Sequence, residues 1–188
     1  MNCIKNAQKA EYMIKKSRFL GFAAPCTSEN DVIEMLRTIH AEHNTANHLA
    51  FAYRVLDNGQ MITRFNDAGE PKGTAGKPIL AHIEGKDLVN TLIAVIRYFG
   101  GIKLGAGGLV RAYGTTAKNT LEHCTIMPYR AMVSVSLQIG YEKIDALQHE
   151  LKQLDGSIIS QDFGVQIQLI IQLPEDNVTH LYRFSKTY

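Results

Sequence analysis

The chain has 188 residues, 45 % of them hydrophobic and 20 % charged, with a formal net charge of +2; these values fit one large or two small globular domains, and the charge is too small to announce a nucleic-acid binder by itself. A nucleic-acid role therefore has to rest on how charge is distributed, not on its sum. The three cysteines, Cys3, Cys26 and Cys124, are too few and too scattered for a disulfide framework or a zinc knuckle, and the longest nearly apolar run, residues 92–99, is too short to cross a bilayer, so a cytoplasmic protein with no membrane segment is expected.

Residues 1–18 are rich in Lys and lack an apolar core. Residues 15–26 predict a first strand carrying Phe19, Leu20 and Phe22 and stopping near Pro25, and Ser28-x-x-Asp31 then reads as a capping box opening a helix with Val32, Leu36, Ile39 and His43 on one stripe. The next segment alternates strictly: Leu49, Phe51, Tyr53 and Val55 point one way, and His48, Ala50, Ala52 and Arg54 the other. Asp57-Asn58-Gly59 is a strong hairpin signal and predicts that residues 60–66 fold back antiparallel. The small side chains at 50 and 52 leave a low face, for which a closely packed helix is the expected cover.

Residues 67–78, DAGEPKGTAGKP, are dense in turn formers, with Thr74 placed to cap a short helix through Ile79, Leu80 and Ile83. Residues 89–99 are apolar on both faces, the mark of a central strand covered on two sides. They run into RYFGGIKLGAGGLVRAYG, residues 97–114, where a glycine-rich turn opens a helix at Gly105. At 100° per residue Leu109, Val110, Tyr113, Ala117 and Leu121 share one arc, with Arg111 and Lys118 opposite.

No Asp or Glu occurs between Asp87 and Glu122. Glycines at 100, 101, 105, 107 and 108 let backbone amides approach a ligand, and a helix start adds unpaired N–H groups. Arg97, Lys103 and Arg111 are candidate phosphate contacts, with Lys118 further along; the spacing is neither that of a Walker loop nor of a dinucleotide fingerprint. In the preceding loop Lys72, Thr74 and Lys77 are candidate anion contacts, and Asp67 with Glu70 could form an acid/base pair only if burial raised one pKa. A polar loop rarely supplies that burial, so turn formation is the expected role. His40, His43 and His48 straddle a helix end with no carboxylate or thiolate to complete a set, so no metal site and no cofactor is expected, and no Ser/His/Asp or Cys/His pairing suggests nucleophilic catalysis.

Charge also divides the chain: residues 1–128 hold fifteen Lys/Arg against eleven Asp/Glu, and residues 129–188 hold five against seven. Two domains are expected, 1–127 and 128–188, with residues 124–130 as a linker. The second reads as βαββα: a strand over 132–140, a helix over 142–154 ended by Gly156, a hairpin over 157–173 around Gly164, and a last helix from Pro174. This is a ferredoxin-like order without its last strand, since the sequence stops at Tyr188. Its outward positions, Ser134, Ser136, Gln138, Gln166, Gln168 and Gln172, offer no aromatics for stacking bases.

HLAFAYR (48–54), FNDAGEPKGTAGKPIL (65–80) and RYFGGIKLGAGGLVRAYG (97–114) together resemble the signature of the IMPACT family, in its bacterial YigZ-type branch. The resemblance implies an α+β fold of two domains. The first would be an α/β sandwich like the fifth small-subunit ribosomal protein and the fourth domain of elongation factor G, and the second a ferredoxin-like domain like that factor's fifth. It implies no catalytic residue. It singles out His48, Arg54, Asp67, Gly69, Glu70, Pro71, Gly73, Thr74, Gly76, Pro78, Arg97, Phe99, Gly100, Gly101, Lys103, Gly105, Gly107, Gly108, Arg111 and Tyr113, with Asn47 standing where a Thr is expected.

The resemblance implies a kinship with eukaryotic regulators of translation that act through protein contacts and, for the bacterial branch, an expectation of nucleic-acid or ribosome binding. The expectation is thus a non-enzymatic protein that contacts RNA or the ribosome. Two alternatives stay open: a nucleotide- or phosphate-binding enzyme using the glycine-rich helix start, and a regulatory module that binds a protein partner. A kinase-like enzyme would need a magnesium-binding carboxylate near the turn, and only Asp67 or Glu70 is close in sequence.

Overall fold

The computed structural model describes residues 1–57 and 59–187; Asn58, in the middle of the hairpin signal, and Tyr188, where the sequence stops, lie outside them. Contacts divide the chain into two compact units, Met1–Tyr129 and Arg130–Tyr188. The first unit is a five-stranded antiparallel sheet of strands β2 (Gln8–Ile14), β3 (Ser17–Pro25), β4 (His48–Asp57), β5 (Gln60–Asn66) and β6 (Thr91–Tyr98), in the order β2-β3-β6-β4-β5. β6 is central, as its unbroken apolar run requires, and every residue from Thr91 to Arg97 is buried.

The period-two pattern of β3 and β4 sends alternate residues to opposite faces. On one face Phe19, Ala23, Ala50, Ala52, Ile93 and Val95 pack under α2 (Gly76–Gly85) and α3 (Gly105–Glu122). On the other, Leu20, Phe22, Ala24, Tyr53, Val55, Leu92, Ala94 and Ile96 pack under α1 (Glu29–Glu42). Ala50 and Ala52 are thus small because α2 crosses them. Ser28 caps α1 in a reciprocal box with Asp31. In α3 the stripe Leu109, Tyr113, Ala117 and Leu121 is buried together with Ala112, Thr116 and Thr120. The helix therefore turns its 112/116/120 side to the sheet, and Val110, expected inside, is exposed.

Three strands, two of them only three residues long, escape the sequence pattern. β2 precedes the predicted first strand, and β1 (Asn2–Ile4) pairs antiparallel with β7 (Ile126–Pro128), so the segment expected to be a linker is instead tied back to the chain's start. Thr74 does not cap α2: its hydroxyl donates to Pro71 O, and Asp67 takes the amides of Gly73, Ala75 and Gly76 at 2.7, 3.0 and 2.8 Å.

In the second unit β8 (Met132–Ile139), β9 (Ser157–Phe163) and β10 (Ile167–Pro174) form an antiparallel sheet in the order β8-β10-β9, with α4 (Ile144–Gln153) and α5 (Val178–Thr187) supplying the rest of its own core. β10 begins two residues later than the hairpin pattern suggests, and a single 3-10 turn precedes each helix. Gly156 is not the left-handed residue that ends α4; Asp155 adopts that conformation, with φ 51°, and Gly156 then donates its N–H to Leu151 O at 2.7 Å. Ser134, Ser136, Gln138, Gln166, Gln168 and Gln172 are exposed, as their alternation requires.

Candidate nucleic-acid interface

The sheet brings the two glycine-rich segments of the sequence to one end of β4 and β6. His48 at the start of β4 pairs in register with Arg97 near the end of β6. Asn47 locks the junction: its backbone N–H donates to Arg97 O, and its side-chain Oδ1 accepts the N–H of Phe99 at 2.8 Å. Around them the 67–78 loop and the start of α3 close a cleft of about 400 Å³, lined by Asn47, His48, Glu70, Pro71, Arg97, Phe99, Lys103, Leu104, Gly105, Ala106 and Leu109.

At its floor Glu70 is buried, contrary to the expectation for a polar loop. Its Oε1 accepts hydrogen bonds from Arg97 Nη1 at 2.7 Å and Tyr113 Oη at 2.9 Å, and His48 Nε2 lies 3.7 Å away. Burial needs such partners, because a lone carboxylate or guanidinium in the interior is strongly disfavoured. Burial, and then the charge of Glu70, pushes the Tyr113 hydroxyl up, so it stays protonated and serves as a donor. His48 Nδ1 lies 2.8 Å from Ala68 O; a carbonyl can only accept, so Nδ1 carries the proton and Nε2 faces Glu70.

The starts of α2 and α3 differ. Burial favours the neutral form of Asp67, but the amides of Gly73, Gly76 and Ala75 outweigh it and hold its carboxyl below the ordinary value, so α2 carries its own anion. α3 has neither a capping side chain nor an acidic residue in its first turn. Gly105 and Ala106 of that first turn line the cleft together with Lys103.

Not every expected contact gathers here. Arg97 is buried and paired, which removes it as a free surface cation. Gly100 is not shaped for a ligand: its N–H donates to Ser17 Oγ, and a Cβ there would lie 2.0 Å from the backbone of Lys16. Gly101 and Gly105 take φ values of 85° and 71°, which favour glycine, while Gly107 and Gly108 belong to the first turns of α3. Arg54 sits at the far end of β4, 3.7 Å from Asp87. Lys118 is exposed and 3.7 Å from Glu122, roughly 20 Å along α3 from its start. Thr74 is buried, and Lys72, Lys77 and Arg111 are exposed. Sequence reasoning missed Lys15 and Lys16: both have left-handed φ values in the β2–β3 turn, which packs directly on Gly100. The double Lys before a strand was the available signal.

The Impact N-terminal domain pattern matches residues 15–121, and a domain of unknown function (DUF1949) matches residues 137–181. The chain belongs to the IMPACT family. It is 36 % identical over 167 residues to the IMPACT family member YigZ of Escherichia coli (strain K12), covering 88 % of this chain and 81 % of that one. It is 37 % identical over 150 residues to the IMPACT family member YvyE of Bacillus subtilis (strain 168), covering 80 % and 69 %. A crystal structure of a hypothetical protein superposes with a TM-score of 0.70 at 32 % identity, covering 96 % of this chain and 88 % of that one. Among the described residues no helix is long and apolar enough to cross a membrane, and no three His, Cys, Asp or Glu side chains are grouped to hold a metal ion.

Proposed function

We propose that the first unit of this IMPACT family protein binds RNA through the face formed by the β2–β3 turn, the glycine-rich turn and α3, in the translational setting that the family resemblance implies. One observation carries this reading. Lys15 and Lys16 in the β2–β3 turn, Lys103 beside the glycine-rich turn and Arg111 on α3 form no ion pair among the described residues, as is also true of Lys5, Arg37, Lys72, Lys77 and Lys86 elsewhere in the unit, whereas Lys9, Arg18, Arg54, Arg64, Arg97 and Lys118 are each within 4.0 Å of a carboxylate. Unpaired cations can release counterions from a phosphate backbone without first breaking an internal contact. The three-layer first unit is read as the ribosomal-protein-like sandwich and the second as ferredoxin-like, giving domains 1–127 and 128–188.

The test is fluorescence anisotropy of a labelled single-stranded RNA against the full chain over a salt series. Each phosphate contact removed by Lys16→Gln, Lys103→Gln or Arg111→Gln should lower affinity and flatten the slope of log K against log salt by about 0.7. An affinity that ignores salt, or that survives all three changes together, contradicts the reading.

A further inference from the structure

Beside this face, the cleft has a composition that phosphate binding alone does not call for. Its floor holds Arg97, whose side chain keeps only 7 % of its exposure yet uses a single N–H, on Nη1, for Glu70. Arg97 Nε is buried without a hydrogen-bond partner, the one such side-chain atom among the described residues. Buried donors of this kind are rare and costly, and because Arg97 also lines the cleft, an acceptor bound there is placed to engage the guanidinium N–H groups that Glu70 leaves unused. Next to it Glu70 uses only Oε1, leaving Oε2 to accept from a ligand. The walls are apolar: Leu104, Leu109, Pro71 and the ring of Phe99, which is 45 % exposed. At the rim lie Lys103 and the uncapped start of α3.

A bare anion would gain nothing from the aromatic wall and would be repelled by Glu70. A flat heterocycle with a donor next to an acceptor on its edge suits Glu70 and Arg97 together, and it can stack on the face of Phe99 not covered by the Arg97 guanidinium, whose Cζ lies 5.3 Å from the ring centroid. A phosphate joined to it would reach the amides of Gly105 and Ala106 and the ammonium of Lys103. The cleft's 400 Å³ lies within the roughly 300–1,000 Å³ usual for small ligands. We propose that the cleft is a site for one nucleoside monophosphate unit, with the base against Phe99 and its polar edge on Arg97 and Glu70, and the phosphate on Lys103 and the start of α3. The unit can come from a free nucleotide or from an unstacked nucleotide of a strand; only the second source rests on the RNA reading.

The test follows backbone amide NMR signals of the full chain during titration with AMP, UMP, adenosine, inorganic phosphate and a short oligouridylate. Saturable shifts at Phe99, Gly105 and Ala106 are expected with a mononucleotide, with adenosine and phosphate each weaker by about tenfold or more. Phe99→Ala should weaken mononucleotide binding and leave phosphate binding unchanged. Ala106→Glu should abolish both, and because a glutamate in a first helical turn favours the helix, its melting temperature should show that the fold is kept. Phosphate binding as tight as the mononucleotide, or no cleft shifts at millimolar nucleotide, overturns the proposal. Mononucleotide binding without oligouridylate binding supports the site with a free nucleotide as its source and defeats the RNA reading instead. Oligouridylate binding that leaves the cleft signals unmoved, with no mononucleotide binding, does the reverse.

Discussion

Glu70 and Arg97, 27 positions apart in sequence, meet at 2.7 Å with less than a tenth of either side chain exposed. The pair fastens the 67–78 loop to the end of the central strand and sets the floor of the cleft. Removing one member of a buried pair typically costs about 3–5 kcal/mol, because the other charge is left uncompensated. Glu70→Ala should lose stability of that order in urea unfolding. Glu70→Gln, which still offers Tyr113 and Arg97 an acceptor, should lose clearly less. Equal losses would show that the charge of Glu70, and not its hydrogen-bond acceptor, is what holds the floor.

The glycines of the 97–114 stretch should answer differently to the same change. At Gly100 a Cβ would collide with the backbone of Lys16 at 2.0 Å, so Gly100→Ala has to push the β2–β3 turn away and should destabilise by about 1–3 kcal/mol or more. At Gly107 nothing lies within 4 Å and the residue is helical, so Gly107→Ala should stabilise by about 0.5–1 kcal/mol. Thermal melts of the two variants settle the contrast.

Asp67 should make the first unit sensitive to acid. Its folded pKa lies below the ordinary 3.8, so the unfolded chain binds the proton more readily. The stabilisation is therefore present above the ordinary value and is lost as pH falls through the lowered one. Asp67→Asn should be less stable than the parent at neutral pH by about 0.5–2 kcal/mol, the range for a lost helix-start acceptor, and the gap should narrow in acid. Melting temperatures of both proteins from neutral pH into strong acid test the sign.

Lys118 and Lys103 carry the same charge but stand differently. Lys118 has Glu122 at 3.7 Å and lies far along α3, whereas Lys103 is at the cleft. Lys103→Gln should reduce RNA affinity and the salt slope. Lys118→Gln should leave affinity within about twofold, since an exposed pair of this kind contributes little either way.

What could be read in the sequence was what has a period. The alternation of β4, the two-faced apolar run of β6, the capping box of α1 and the stripe of α3 each state their own geometry. β1, β2 and β7 were hidden because two are three residues long and β2 is an edge strand whose side chains are all at least partly exposed. Within the site, His48 and Lys103 were legible from their setting. The burial of Glu70 was not, because its cause, Arg97, is distant in sequence, and the same holds for Lys16 against Gly100. The acid-free stretch between Asp87 and Glu122 is acid-free only along the chain; in space Glu70 sits under it.

Ultraviolet crosslinking of the intact protein to RNA, followed by mass spectrometry of the attached peptides, tests the central claim most directly. The account predicts nucleotide adducts on peptides carrying Lys15–Lys16 and on those spanning residues 97–111, with Phe99 among the modified positions. Adducts confined to the Arg130–Tyr188 unit, or no adduct at all on the first unit, would contradict it.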